Sequence, residues 1–119
     1  MLSGDGPIFL QLAERLAEDI INGTYAEGSG VPSTNDYATY YQISPITTSK
    51  GINVLVEQGV LYKKRGIGMF VAPGARERLR AERRATFRKQ HLTPLLREAH
   101  LLGIDQDDLA NMIRQKDPS

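Results

Sequence analysis

The residues of this chain that could do chemistry are hydrogen-bond donors rather than nucleophiles or metal ligands. Ser44, Thr47, Thr48 and Lys50 fall close together, and Lys64-Arg65-Gly66 with Gly68 follows a short distance on. Hydroxyls and cations in such clusters suit phosphate oxygens and base edges: Lys and Arg donate to phosphate or guanine, and Thr meets phosphate or a thymine methyl. Ser33, Thr34 and Asn35 form a second cluster upstream. Catalysis is the least expected class. There is no cysteine, and the only two histidines, His91 and His100, stand nine residues apart. On a continuous helix that spacing turns them to opposite sides, roughly 180° apart at 3.6 residues per turn. Asp105, Asp107 and Asp108 lack the spacing of a calcium loop and read as charges at a helix start. Gly66-x-Gly68 has no third glycine and no helix after it, so it is not a dinucleotide fingerprint. No metal, catalytic residue or cofactor is expected.

These donors need elements to hold them, and the capping signals say which. Ser33 with Asp36 three residues on is an aspartate form of the capping box and starts a short helix with Tyr37, Ala38 and Tyr41 inward. Gln42-Ile43 makes a turn. Ser44 caps a third helix with Pro45 at its first position, and Gly59 followed by Val60 stops it in a Schellman pattern. Ile52, Leu55 and Val56 face the core, leaving Thr47, Lys50, Asn53 and Val54 nearer the outside. Residues 60–64 and 67–72 are β-rich around Arg65-Gly66 and predict a two-stranded hairpin that must lie on the helices. Before all of this, Pro7 opens a helix whose Ile8, Leu12, Leu16, Ile20 and Phe9, Ala13, Ala17, Ile21 make a wide apolar stripe, ended by Asn22-Gly23. Residues 24–30 read as a loop. The order is helix, helix-turn-helix, wing.

Composition sets the outer bounds. The 119 residues suit one domain or a small domain with an appendage, and 40% hydrophobic with 24% charged residues is ordinary for a globular chain. No run of 18 apolar residues spans a membrane, and MLSGDGPIF lacks the basic and apolar regions of a signal peptide. The lack of cysteine fits a reducing cytoplasm. A net charge of +1 says little about partners, but its distribution says more. Lys50, Lys63, Lys64 and Arg65 cluster in the last part of residues 1–73 with Glu57 as the sole opposing charge, and local patches set the field a phosphate backbone feels.

After Pro73-Gly74 the composition shifts. Residues 76–89 hold seven Arg or Lys against two Glu, with Leu79 and Phe87 as the large apolar groups, so a mostly solvated helix face is expected. Leu92, Leu95, Leu96, Ala99 and Leu102 then form a stripe begun by Thr93-Pro94 and stopped at Gly103, and Asp105 with Asp108 caps a last helix carrying Leu109, Met112 and Ile113. Two helices of about ten residues cannot stand alone, and the simplest partner is the same hairpin of a second subunit.

At residues 7–71 the sequence resembles the DNA-binding domain of the GntR family of bacterial transcription regulators. The resemblance is carried by Pro7-Ile8-Phe9, Gln11-Leu12, Asn22-Gly23, Gly28, Pro32-Ser33, Thr47-Thr48, Lys50, Leu55, Glu57-Gln58-Gly59-Val60-Leu61 and Gly66-x-Gly68-Met69-Phe70-Val71. The basic helix and short hairpin beyond are similar to the YtrA-type branch, whose small C-terminal region serves dimerisation and several of whose members are repressors. The resemblance implies a mainly α fold with a small β-hairpin, a winged helix-turn-helix over residues 1–73 and a helical dimerisation tail over 74–119. It implies a homodimeric repressor on a two-fold symmetric operator. Thr34-Asn35, Ile46 and Lys50 (the last two standing where the family often has arginine) depart from the family's pattern, which implies an operator sequence of its own.

The expected mechanism places the third helix, about residues 44–58, in the major groove and the wing, about 62–71, at the minor groove, where Arg is drawn to narrow A/T stretches. Ser33 and Ser44 mark helix N-termini suited to phosphate. The alternative is a winged-helix module that binds protein without specific DNA contact; the sequence assigns no small-molecule effector.

Overall fold

The computed structural model describes Leu2 and residues 4–115. The expectations for the chain's first residues and for the end of the 74–119 tail therefore fall partly outside the described residues.

Helix α1 (Ile8–Ile21) follows Pro7, which stands at the cap, one position before the first helical residue. Its Leu12, Ala13, Leu16, Ala17 and Ile20 are buried, as the stripe predicts, while Ile8 at its start is exposed. The chain then forms β1 (Gly30–Val31), α2 (Thr34–Tyr41), α3 (Pro45–Glu57), β2 (Leu61–Lys64) and β3 (Gly68–Val71). Both caps read from sequence are present. Ser33 and Asp36 exchange side-chain and backbone bonds as a capping box, and Ser44 Oγ accepts from Thr47 N–H.

Helices α1 and α3 pack so closely at Gly51 that a Cβ there would lie 2.7 Å from the Phe9 carbonyl oxygen and 3.2 Å from a Leu12 methyl. Only a residue without Cβ fits this crossing. Around it, Leu16, Ile20, Tyr37, Ile52, Leu55, Val60, Leu61 and Val71 form one core, and full burial of each large aliphatic side chain is worth about 1.5–3 kcal/mol. Burial also pushes the Tyr37 hydroxyl far above the ordinary phenol range, so it remains neutral and acts by packing.

The stop of α3 is the Schellman motif expected: Gly59 has φ +74°, Val60 N–H donates to Leu55 O at 2.9 Å, and Gly59 N–H to Val56 O at 3.0 Å. It turns the chain directly into β2. The sheet differs from expectation in having three strands, ordered β1-β3-β2 and antiparallel throughout, where a two-stranded hairpin was read. Gly28 N–H donates to Val71 O and Val71 N–H to Ser29 O, and Gly30 pairs with Phe70. A two-residue strand has no alternation to reveal it, so the end of the 24–30 loop conceals a strand.

The first compact unit runs through Arg80, into α4 (Ala75–Phe87), rather than ending at residue 73. Ala75 and Leu79 are buried in the core of the first unit. Arg76 Nε donates to Ile21 O at 2.8 Å, and the Arg78 guanidinium donates to the carbonyls of Gln58 and Gly59. The start of the basic helix thus satisfies the orphan carbonyls at the ends of α1 and α3 instead of forming only a solvated face.

In the second unit, α4 passes through a π-helical turn (Arg88–Leu92) into α5 (Thr93–Leu101), and α6 (Gln106–Gln115) follows. α5 begins at Thr93 with Pro94 in its first turn, but Thr93 is not the cap that Thr93-Pro94 suggested: Leu92 and Thr93 are both helical, Thr93 N–H donates to Arg88 O, and the helix runs on from the π turn. A proline inside an α-helix removes one bond and collides with the preceding turn, and the wider π turn accommodates it. Gly103 (φ +72°) ends α5, and Asp105 Oδ1 accepts from Asp108 N–H at 2.8 Å to cap α6, both as expected.

Gly51→Ala should cost about 1–3 kcal/mol of stability, the usual penalty for overpacking. Urea unfolding followed by circular dichroism checks this; an unchanged midpoint would remove the tight crossing from the account.

Candidate nucleic-acid interface

Helix α3 divides its residues sharply. Thr48, Gly51, Ile52 and Leu55 are buried on one side. At 100° per residue, Ile46, Lys50, Asn53 and Glu57 lie within roughly 40° of the opposite direction, and all four are exposed. Because the buried side is pinned against α1 at Gly51, the direction of this outward stripe is fixed by the core.

The predicted donors distribute unevenly over this frame. At the N-terminus of α3, Ser44 Oγ accepts from Thr47 N–H at 3.1 Å and its hydroxyl donates to Thr47 Oγ1 at 2.9 Å, so the two act as one polar unit at the helix start. Lys50 is exposed, with Nζ 4.3 Å from the centroid of the Phe9 ring, a cation–π contact that ties its stem to α1. Thr48 is a correction. It is fully buried, and its hydroxyl donates to Ser44 O at 2.9 Å, so it presents nothing to a groove. A single residue of difference separates Thr47 from Thr48, but 100° of helix turn puts one at the rim and the other in the core. Val54, expected toward the outside, packs partly against the core.

At the start of α2, Ser33 and Asn35 are exposed and Thr34 is half-buried. Asp36 N–H donates to Ser33 Oγ at 3.1 Å, which leaves the first-turn N–H groups near that cap as donors for an anion.

In the wing, Ile67 N–H donates to Lys64 O at 2.9 Å and Gly66 takes φ +76°, which puts Arg65 and Gly66 at an exposed tip. The register sets Tyr62 opposite Phe70, whose rings stack with centroids 5.9 Å apart. Lys64 Nζ lies over the same face, 4.5 Å from the Phe70 centroid. Lys64 is therefore held along the sheet, and Arg65 is the outermost cation of the turn. Gly68, paired with Lys64, closes the loop.

Sequence reading did not assign Ile46, Asn53 or Ile67 to the interface, though Ile46 is 83% and Ile67 74% exposed. The signal was available for the first two, since both share the helical face of Lys50. Among the described residues, no three of His, Cys, Asp or Glu gather as a metal site, and no helix is long and apolar enough to cross a membrane.

The tail residues also divide. Leu95, Leu96, Leu102, Met112 and Ile113 are exposed and Leu92 is half-buried, whereas Ala99 and Leu109 are already buried within the single chain. Ala99 and Leu109 are therefore structural residues of the tail, a correction to their assignment to a subunit interface.

Three helices with a capped turn between α2 and α3, followed by a hairpin wing, define a winged helix-turn-helix. The chain belongs to the GntR family of bacterial regulatory proteins, whose model matches residues 9–71. It is 28% identical over 109 residues to the HTH-type transcriptional repressor YtrA of Bacillus subtilis, covering 92% of this chain and 83% of that protein. It is 39% identical over 64 residues to the probable fructoselysine utilization operon transcriptional repressor of Escherichia coli, but that match covers 54% of this chain and only 26% of the longer protein. A solved GntR-family regulator structure from Bacteroides thetaiotaomicron is 34% identical with a TM-score of 0.72, covering 91% of this chain and 94% of its own. The DNA-binding domain of AraR in complex with operator ORX1 is 30% identical with a TM-score of 0.57 over 60% of this chain and 93% of its own. The chain is thus a DNA-binding transcription regulator and not an enzyme.

Thr48→Val should leave DNA affinity unchanged while altering stability by no more than about 1 kcal/mol, the net worth of one hydrogen bond. Thermal unfolding and fluorescence anisotropy on the same samples check both; a several-fold loss of affinity without loss of stability would return Thr48 to the interface.

Proposed function

We propose that α3 enters the major groove of a two-fold symmetric operator, that the wing tip approaches the adjacent minor groove, and that a homodimer formed through the tail aligns two such units. The observation that carries this reading is the fixed outward stripe of α3, with the polar Ser44–Thr47 unit at its start and Lys50 one turn on. Helix N-terminal residues are the ones that reach base edges in this docking geometry. Thr47, Lys50 and Asn53 supply donors to bases or phosphate, and Ser33, Asn35 and Ser44 supply phosphate contacts with the N–H groups behind them. Arg65, carried beyond Lys64 by Gly66, supplies the minor-groove cation.

Leu95, Leu96, Leu102, Met112 and Ile113, which remain exposed together with Leu101, support the role of the tail in pairing subunits. No effector is assigned. The repressor names of the relatives favour repression, in the cytoplasm where DNA is reached.

Affinity for operator DNA should fall linearly on a log–log plot against salt, with a slope of roughly −0.9 per phosphate engaged. Lys50→Ala and Arg65→Ala should each flatten that slope by roughly one if they contact phosphate. Binding that is indifferent to salt would favour the protein-docking alternative.

Met112→Asp combined with Ile113→Asp should give a monomer by sedimentation and lower operator affinity at least about ten-fold, because the half-sites would then be bound independently. A double variant that remains dimeric removes the tail from subunit pairing.

A further inference from the structure

Ile46 is the most exposed large hydrophobic residue described in the chain, at 83%. It is the second residue of α3, directly after Pro45 and two after the Ser44 cap. Stability does not account for it. A β-branched residue is a modest helix former, the first helical turn favours Asp or Glu, and Ile46 contributes nothing to the core. It stands instead on the outward stripe, one helical turn before Lys50 and two before Asn53.

We propose that Ile46 is a specificity-determining residue that reads the C5 methyl group of a thymine in each half-site. The inference rests on the docking of α3 proposed above. An isoleucine side chain has neither donor nor acceptor. On the major-groove edge of a base pair, the one apolar feature it can meet is the thymine methyl. Every other edge presents polar groups that would lose water against it without gaining a hydrogen bond. Ile46 therefore acts in two directions: it rewards thymine by apolar contact and disfavours cytosine, which lacks the methyl and exposes an amino group at the adjacent position. Lys50 and Asn53, further along the same face, supply the polar part of the readout, so the stripe combines one apolar reader with two polar ones.

The test begins by selecting the DNA that the full chain prefers from a random duplex pool. Each thymine of the selected half-site is then replaced singly by deoxyuridine, which keeps the pairing edge and the backbone and removes only the methyl group. Dissociation constants are measured at fixed salt for the native chain and for Ile46→Ala and Ile46→Val. The native chain should lose about four-fold per half-site at one thymine, the worth of one buried methyl-sized group. Ile46→Ala should bind the thymine and deoxyuridine duplexes equally, and Ile46→Val should retain part of the difference. Circular dichroism and the salt slope of both variants should match the native chain, since Ile46 neither packs nor carries charge. If no thymine shows the loss, or if Ile46→Ala keeps it in full, the assignment of Ile46 is overturned while the docking of α3 stands. If the chain selects no sequence at all, the docking itself falls, and the assignment with it.

Discussion

Everything the interface does depends on the contact between α1 and α3 at Gly51. A helix presents a fixed face only when its other side is held at one angle and one depth. The space opposite Gly51 is filled by the Phe9 carbonyl and Leu12, which leaves no room for a side chain and no freedom to roll. Thr48, Ile52 and Leu55 then go inward, and Ile46, Lys50 and Asn53 are driven outward as a consequence. Phe9 serves twice, with its backbone carbonyl setting the approach distance and its ring face receiving the Lys50 ammonium.

The ends of the helices are held as deliberately as their middles. Ser33 and Ser44 each accept one first-turn N–H of α2 and α3, the Gly59 turn closes α3, and Arg78 donates to the carbonyls of Gln58 and Gly59. Since α3 passes directly into β2 through this turn, holding its end also holds the wing. Arg76 and Arg78, at the start of α4, are thus tied to backbone carbonyls of the first unit.

Much of this was legible in the sequence because caps, stops and apolar stripes act locally. Ser33-x-x-Asp36, Ser44-Pro45, Gly59-Val60 and the α1 stripe each fix a boundary by short-range chemistry, and each stands where it was expected. The failures share the opposite cause. Strand β1 exists only because distant Phe70 and Met69 pair with it, and Leu79 is buried only because the first core reaches α4. The role of Gly51 depends on a helix some forty residues earlier in the chain. Thr48 was assigned by residue type, when the rotation from Thr47 decides its fate. Pro94 looked like a helix start because proline favours that place, but a π turn lets the helix run through it.

In the proposed docking, this packing delivers the outward stripe of α3 to the major groove. Methylation interference on the selected operator tests it most directly, because guanine N7 is exposed only in that groove. Two clusters of interfering guanines are expected, centred about 34 Å apart or a multiple of that spacing and related by two-fold symmetry. Binding that tolerates every N7 methyl group, with interference confined to adenine N3 in the minor groove, would contradict it.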